Sequence, residues 1–488
     1  MADPIDDEQG RGGLAGTAIA LFVASFAYLW TFRNEGIFHL DAVYLAQTVE
    51  QMYAGGPWDV RWRFGAVLAN ALVHFPFWLL GENAERATIL ASILFHAASI
   101  AMVLLFLERL CGIRLLAALS AGLLAVAPVF SVANTFGKEY GLAVFLVSTS
   151  FYLALRARDA ASATLAAASA VCFALSYTVW EGLLGITPIW VMVLFAPRLE
   201  RPRWDARTRR LAAGGLVGFA FGLGFGLATS LVAMVRTYAG TPTMTKLDLA
   251  SPQLGAALGD LVLFLGPPFL LASAAGLVVT LRRRRYRALL PLALMLVATI
   301  VVYGNLSTYG PRYLVLCTLG LAMLAGAALH AMLARGTFLR WTAIATYVTS
   351  IAWMIAVSYP LLAPRHTYNG AKRYAQLIAE VTEPDSTIIV MDDHRFVEYY
   401  ARRETLQHPI GDPAATANWV QTVRDTMARG PVYLAESGLS YDPGALVRKA
   451  IDDNFTMTLV GTRLTEDFHH AEGRRRVYEA SLWRLEPR

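Results

Sequence analysis

Four ionisable side chains stand at the ends of apolar stretches, where a charge is hard to explain as solvated surface. Asp41 opens an amphipathic run within His39-Leu40-Asp41-Ala42-Val43-Tyr44-Leu45-Ala46-Gln47. Lys138 and Glu139 lie in Thr135-Phe136-Gly137-Lys138-Glu139-Tyr140, and Arg312 lies in Gly310-Pro311-Arg312-Tyr313. A charged group at mid-bilayer costs about 2.5–3.5 kcal/mol on insertion scales, so such residues are where chemistry is sought first. A carboxylate at a water–membrane boundary can accept a proton from a hydroxyl. A lysine and an arginine beside it can hold an anionic phosphate, the arginine through several donors at once. Each residue also has a plainer reading. Asp41 can cap a helix, Lys138 and Glu139 can snorkel at a helix end, and Arg312 can anchor a helix at the interface. Glu181, directly after Trp180, joins the same set, with an ordinary boundary residue as its plainer reading.

The elements that must position these residues follow from composition. The chain has 488 residues, 56% hydrophobic and 16% charged, with a mean hydropathy of +0.46. A soluble domain carries about a quarter charged residues, so an ordinary soluble enzyme, a disordered chain and a collagen-like chain are excluded. Eleven stretches are apolar enough for bilayer spans: 14–32, 87–107, 114–132, 140–156, 160–176, 181–197, 211–235, 259–280, 288–303, 313–333 and 341–362. The first is expected to be a span, because it is long and residues 1–11 are acidic, unlike a cleavable signal. A twelfth stretch, 65–80, is short and carries His74 and Pro76; it is expected to be interfacial or re-entrant.

Charge sets the expected orientation. With the N-terminus in the cytoplasm, the predicted cytoplasmic loops carry 17 Lys and Arg and the opposite loops 8, as the positive-inside rule requires. The net charge of +6 therefore reads as orientation and not as affinity for nucleic acid. Asp41, Lys138, Glu139 and Arg312 then share the extracytoplasmic side. Cys111, Cys172 and Cys317 lie far apart in apolar runs and read as small buried hydrophobes, without a disulfide framework.

Residues 364–488 differ in kind. They carry 16 Lys and Arg against 18 Asp and Glu, an ordinary soluble composition, and are long enough to bury a core. Pro364 and Arg365 mark the boundary between residues 1–363, a transmembrane part with juxtamembrane helices in its loop 33–86, and residues 364–488, an extracytoplasmic α/β domain. Strands are expected at 386–391, 431–435, 456–461 and 476–483, the last two pairing as a hairpin in one arrangement; helices are expected at 368–381, 412–428 and 441–452. Asp392-Asp393-His394 reads as the end of a strand and a helix cap more than as a metal site.

At this point the first external loop resembles that of the GT-C glycosyltransferases, which include protein O-mannosyltransferases and lipid A aminoarabinose transferases. The resemblance rests on His39-Leu40-Asp41-Ala42-Val43-Tyr44-Leu45-Ala46, on the proline-aromatic stretch Phe75-Pro76-Phe77-Trp78 followed by Gly81 and Arg86, loosely on Leu175-Ser176-Tyr177-Thr178, and on Arg312-Tyr313-Leu314. It implies a polytopic α-helical fold of about 11 transmembrane helices, a sugar donor on a polyprenyl phosphate, an extracytoplasmic active site and inverting transfer. Asp41 matches the family's acidic residue that activates the acceptor, and Glu139 its second acidic position, where Asp is commoner. Lys138 and Arg312, with Tyr313, match the lipid-phosphate side. One feature departs from the pattern. The aminoarabinose transferases carry a Lys before two prolines, whereas this chain has Val73-His74-Phe75-Pro76. Either His74 or Arg61 and Arg63 replaces that cation, or the donor is held differently. Nothing here requires a metal, although some distant GT-C enzymes use one and a divalent ion stays open.

The function expected is thus transfer of a sugar from a lipid-linked donor to a glycan, lipid or protein of the cell envelope. The Ala/Arg-rich style suggests a bacterial inner membrane. A transporter or flippase for a lipid-linked saccharide is the alternative; it should show broken helices in two matching repeats, and only Gly214 to Gly226 and Pro267-Pro268 hint at breaks. A scaffold protein would leave the one-sided charges unexplained.

Overall fold

The computed structural model describes residues 4–56, 63–199, 205–233, 236, 252–282, 310–390, 393–437, 442–466 and 475–488. Thirteen described helices precede the C-terminal α/β unit: α1 (Pro4–Thr31), α2 (Leu40–Tyr53), α3 (Phe64–Leu79), α4 (Ala84–Cys111), α5 (Arg114–Ala125), α6 (Pro128–Thr135), α7 (Tyr140–Ala160), α8 (Ala163–Tyr177), α9 (Thr187–Leu199), α10 (Ala206–Thr229), α11 (Pro252–Arg282), α12 (Val315–Leu333) and α13 (Thr337–Thr367). Ten of the eleven expected spans fall on these helices; 288–303 lies outside the described residues.

Length trims the expected count. Among the described residues, seven helices are long and apolar enough to cross a bilayer, or eight if the bent pair α5–α6 forms one span. The stretch 114–132 is not one straight helix. Ala127 is extended (φ −61°, ψ 121°), as a residue before proline prefers, and the chain bends by 53°. The stretch 181–197 opens as a 3₁₀ turn, Glu181–Ile186, before α9. Helix α3 has 16 residues, about 24 Å at 1.5 Å per residue, which is short of a spanning helix.

Glycines and prolines that looked like breaks have local explanations. Gly214, Gly218 and Gly222 recur every four residues on α10, and a Cβ there would meet the backbone of Ala163 and Ala167 and the side chain of Ala174 on α8. This is close helix packing through small residues. Helix α11 does kink, at Gly266 (φ 76°, ψ 159°) before Pro267. Proline lacks an N–H, so Pro267 leaves the Leu263 carbonyl without its helical donor. The Trp353 indole of α13 fills that place, donating to the Leu263 oxygen at 2.9 Å.

The C-terminal unit is a five-stranded sheet between helices. Its strands are β1 (Thr387–Val390), β2 (Glu404–Gln407), β3 (Val432–Ala435), β4 (Phe455–Glu466) and β5 (Val477–Pro487), in the order β2-β1-β3-β5-β4. The first three pairings are parallel or cross to β5 antiparallel, and β4–β5 is a long hairpin with a register shift at Leu459/Gly461. Alternation along β1 splits its side chains. Ile388 and Val390 pack with Leu377 and Ile378 of α14 (Gly370–Val381); Ile389 packs with Trp419 and Val423 of α15 (Pro413–Met427) and Ile451 of α16 (Leu446–Asn454). The expected strands and helices are present. The short edge strand β2 was not expected, because Glu404-Thr405-Leu406-Gln407 is half-exposed and carries no apolar run. Asp393 precedes a short helical turn at His394–Phe396; its carboxylate accepts from the Ser437 hydroxyl, and Asp392 lies outside the described residues.

Candidate active site

Helix α2 begins the site. His39, not Asp41, holds the N-cap position: its Nδ1 accepts the Asp41 N–H at 3.1 Å. That bond needs an unprotonated Nδ1. Burial pushes the His39 imidazole well below its ordinary 6.5, Lys138 and Arg312 push it further, and Asp41 opposes them, so the ring is neutral. Asp41 thereby sits in the first turn of α2, where the helix dipole favours a negative charge.

The second segment is the turn between α6 and α7. Gly137 takes φ +86°, and a Cβ there would stand 3.1 Å from the Ala42 Cβ and 3.3 Å from Thr88. Only glycine satisfies both the backbone and the approach, so the turn presses against α2 one residue beyond Asp41. Buried polar groups fix it from beneath. Asn134 Oδ1 accepts the Gly141 N–H at 2.8 Å, its Nδ2 faces His96 Nδ1 at 3.2 Å, and the Ser92 hydroxyl donates to the Lys138 carbonyl. Satisfied buried networks of this kind specify one arrangement.

These two segments bring opposite charges together. Lys138 Nζ donates to Asp41 Oδ2 at 2.5 Å and lies 3.8 Å from Glu139 Oε1. Arg63 Nη1 donates to the same Asp41 oxygen at 2.9 Å and also to Glu139 Oε1. Arg63 caps α3 in the left-handed region (φ 52°, ψ 49°), a conformation costly for a side chain with a Cβ. Such strain concentrates at functional sites. Lys138 and Glu139 are 1% and 4% exposed, while the Asp41 side chain keeps 26% of its surface open. Burial raises the Asp41 carboxyl, but Lys138 and Arg63 outweigh it and hold Asp41 well below its ordinary 3.8. Glu139 Oε2 is buried with no hydrogen-bond partner among the described residues.

The expected residues divide into those assembled and those set apart. Asp41, Lys138, Glu139 and Arg63 form one knot. Arg312 and Tyr313 stand beside it: the Arg312 guanidinium lies 4.8 Å from the Tyr313 ring, and its charge acts on His39. His74 does not join the knot. Its ring packs edge-on against Tyr53 at 5.3 Å, at the far end of α2. Tyr53 follows Asp41 by twelve residues, about 18 Å along a helix. Arg61 lies outside the described residues, as does the side chain of Glu181. Of the two substitutes among the described residues, His74 and Arg63, the structure places Arg63 with Asp41. No group of three or more potential metal ligands occurs among the described residues.

Sequence reasoning missed the residues that hold the two segments together. Arg365, near the end of α13, is fully buried; its guanidinium lies 4.6 Å from the Phe38 ring and 4.9 Å from the Phe136 ring. It read only as a boundary marker, because an arginine after a proline at the end of an apolar helix normally faces water. Around it, the C-terminal unit grips residues 35–50 and the start of α4. Asn369 Nδ2 donates to the Ile37 carbonyl, Tyr400 OH accepts the Ile37 N–H, Lys372 pairs with Glu85, and Tyr399 OH donates to Glu50.

With this geometry in hand, comparisons with solved structures place the fold. ArnT from Cupriavidus metallidurans, solved bound to undecaprenyl phosphate, matches with a TM-score of 0.61 at 15% identity, over 97% of this chain and 98% of that one. The archaeal oligosaccharyltransferase AglB from Archaeoglobus fulgidus, in complex with an inhibitory peptide and a dolichol-phosphate, matches with a TM-score of 0.57 at 13% identity, over 91% of this chain and 73% of that one. The mycobacterial arabinofuranosyltransferase AftD matches with a TM-score of 0.54 at 16% identity; 97% of this chain aligns with 41% of AftD. Scans against protein-family models and curated proteins return no match. The chain therefore has the fold of the GT-C membrane glycosyltransferases, as its first loop led us to expect: a polytopic helical bundle with a C-terminal α/β unit. At these identities the likeness is one of fold alone.

Proposed function

We propose that the protein is an integral-membrane glycosyltransferase that moves a sugar from a polyprenyl phosphate to an acceptor hydroxyl of a cell-envelope glycan, lipid or protein. The observation that carries this reading is Asp41: a partly open carboxylate in an otherwise buried knot, with two cations on one of its oxygens. The lipid phosphates bound by ArnT and AglB support the donor class.

The chemistry assigns each group a task. The acceptor oxygen attacks the anomeric carbon from the face opposite the phosphate, the bond from that carbon to the phosphate oxygen breaks, and configuration inverts. The acceptor proton passes to Asp41. The bonding electrons leave with the lipid phosphate, whose growing charge is met by Lys138, Arg63 and Arg312. Tyr313 steadies the Arg312 guanidinium, and Glu139 anchors Arg63 through Oε1 while offering Oε2 to a substrate hydroxyl. A depressed pKa makes Asp41 a weak base while both cations are on it. An incoming phosphate competes for those cations, so Asp41 gains basicity once donor is bound.

Orientation is part of the same reading: N-terminus cytoplasmic, Asp41 and the C-terminal unit extracytoplasmic, in a bacterial inner membrane. The Arg-rich cytoplasmic loops support it, and a reporter fused after Arg488 should read as extracytoplasmic. The transfer itself is tested by mass spectrometry of envelope glycans and glycolipids from cells with the gene, without it, and with Asp41→Asn. One glycosylated species should vanish in both altered strains. Its persistence in the Asp41→Asn strain would sink the assignment. The transporter alternative gains nothing from the α11 kink, whose freed carbonyl is already bonded by Trp353.

A further inference from the structure

Arg365 is a fully buried charge that touches both segments that build the site. Phe38 stands three residues before Asp41, and Phe136 two residues before Lys138. The two rings are 5.3 Å apart, and the guanidinium caps the pair at 4.6 and 4.9 Å. A desolvated guanidinium over aromatic faces is a strong, directional contact. The Arg365 carbonyl also accepts the Glu35 N–H at 3.0 Å, which ties the chain leading to Phe38.

The charge is answered from the C-terminal unit. Glu466, the last residue of β4, accepts from Arg365 Nε at 2.9 Å and from Nη2, and its side chain is 1% exposed. Gly370 lets α14 reach this point: a Cβ there would stand 2.8 Å from the Glu466 backbone nitrogen. A buried pair like this is weak evidence for stability but good evidence for a fixed arrangement.

We propose that Arg365 and Glu466 are a positioning pair, through which the C-terminal unit sets the spacing between Asp41 and Lys138–Glu139. The unit is then a working part of the site and not an appendage. This inference rests on the reading of the Asp41 knot as the active centre.

The test uses the full chain in lipid nanodiscs with undecaprenyl phosphate as probe, comparing Arg365→Ala, Arg365→Lys and Glu466→Gln. Hydrogen exchange should quicken together in residues 36–44 and 134–141 for Arg365→Ala and Glu466→Gln, while the α8–α10 contact keeps its protection. The probe should bind roughly 2- to 30-fold more weakly in both, the range expected for coupled positions. Arg365→Lys, which keeps a cation over the rings, should recover part of that loss; a merely structural arginine would not be rescued this way. Unchanged exchange in either segment, with unchanged probe affinity, would overturn the proposal, as would quickening confined to the C-terminal unit. If Arg365→Ala fails to fold, Glu466→Gln carries the test, because it keeps the guanidinium and an acceptor oxygen and removes the negative charge that answers Arg365 and, at 3.5 Å, Arg475. Neither readout requires transfer, so a failure of the Asp41→Asn experiment and a failure here are distinguishable.

Discussion

In the helical part, Asp41, Arg63, Lys138 and Glu139 share one largely buried knot. In the C-terminal unit, Arg448 pairs with Asp452 and Arg463 with Glu380 along the watery rim of the sheet. Both regions use the same residue types at similar distances. Exposed pairs are worth about 0–1 kcal/mol, because water already solvates each partner. In the buried knot, removing one member strands the others without solvent, which costs about 3–5 kcal/mol. The difference teaches that an ion pair's meaning lies in its surroundings. The buried knot is retained at a cost, so it calls for a function; the rim pairs call for none.

That contrast can be broken in several ways. The largest effect is expected from Asp41→Asn, which should lower sugar transfer by at least about 100-fold, in the range for loss of a general base, in protein that stays folded and membrane-inserted but unfolds more easily, because Lys138 and Arg63 lose the charge that answers them. Near-normal transfer would put Asp41 back among ordinary helix-start residues. Next comes Arg63→Ala, which leaves Glu139 buried without its guanidinium; it should cost about 3–5 kcal/mol in detergent-solubilised unfolding. A loss below 1 kcal/mol would make the knot equivalent to the rim. Gly137→Ala should cost about 1–3 kcal/mol through the strained φ and the crowding against Ala42, and should reduce transfer by displacing Lys138. Asp452→Ala, which removes only the open partner of Arg448, should change stability by no more than about 1 kcal/mol, with transfer unaffected; a larger loss would erase the distinction between rim and interior.

The smallest expected effect is one of pH. Asp41 has a depressed pKa in the folded state, so its ionisation contributes stability that is fully present above its ordinary value of 3.8 and lost only as pH falls through the folded value. Unfolding measured between pH 7 and pH 5 should show no loss from this group. An Asp41→Asn variant that changed the slope of stability in that window would contradict the pairing with Lys138 and Arg63.

Much of this was legible in the chain. The long, continuous apolar runs dictate helices in a bilayer, since a helix satisfies its backbone within one segment and a closed barrel would need alternating strands. The short apolar runs in 386–391 and 431–435 dictate buried strands. Asp41, Lys138, Glu139 and Arg312 stood out because a charge beside an apolar span needs a reason. The edge strand β2 was not legible, because its pairing comes from β1 and not from its own residues. Arg63 was visible only as one of three substitutes for a missing lysine.

The sequence alone determined which residues are apolar, which charges are out of place and that the C-terminal 125 residues have a separate composition. These are local properties, fixed by side-chain transfer energies and by periodicity. Only the tertiary structure decided which cation meets which carboxylate. Arg63 and Lys138 reach Asp41 across 22 and 97 residues, and Glu466 reaches Arg365 across 101. It also separated His74 from Asp41, although both lie in the stretch 33–86 between two apolar spans. The reason is geometric: a helix carries residues twelve apart to opposite ends, while a turn closed by Gly137 brings distant segments within hydrogen-bonding reach.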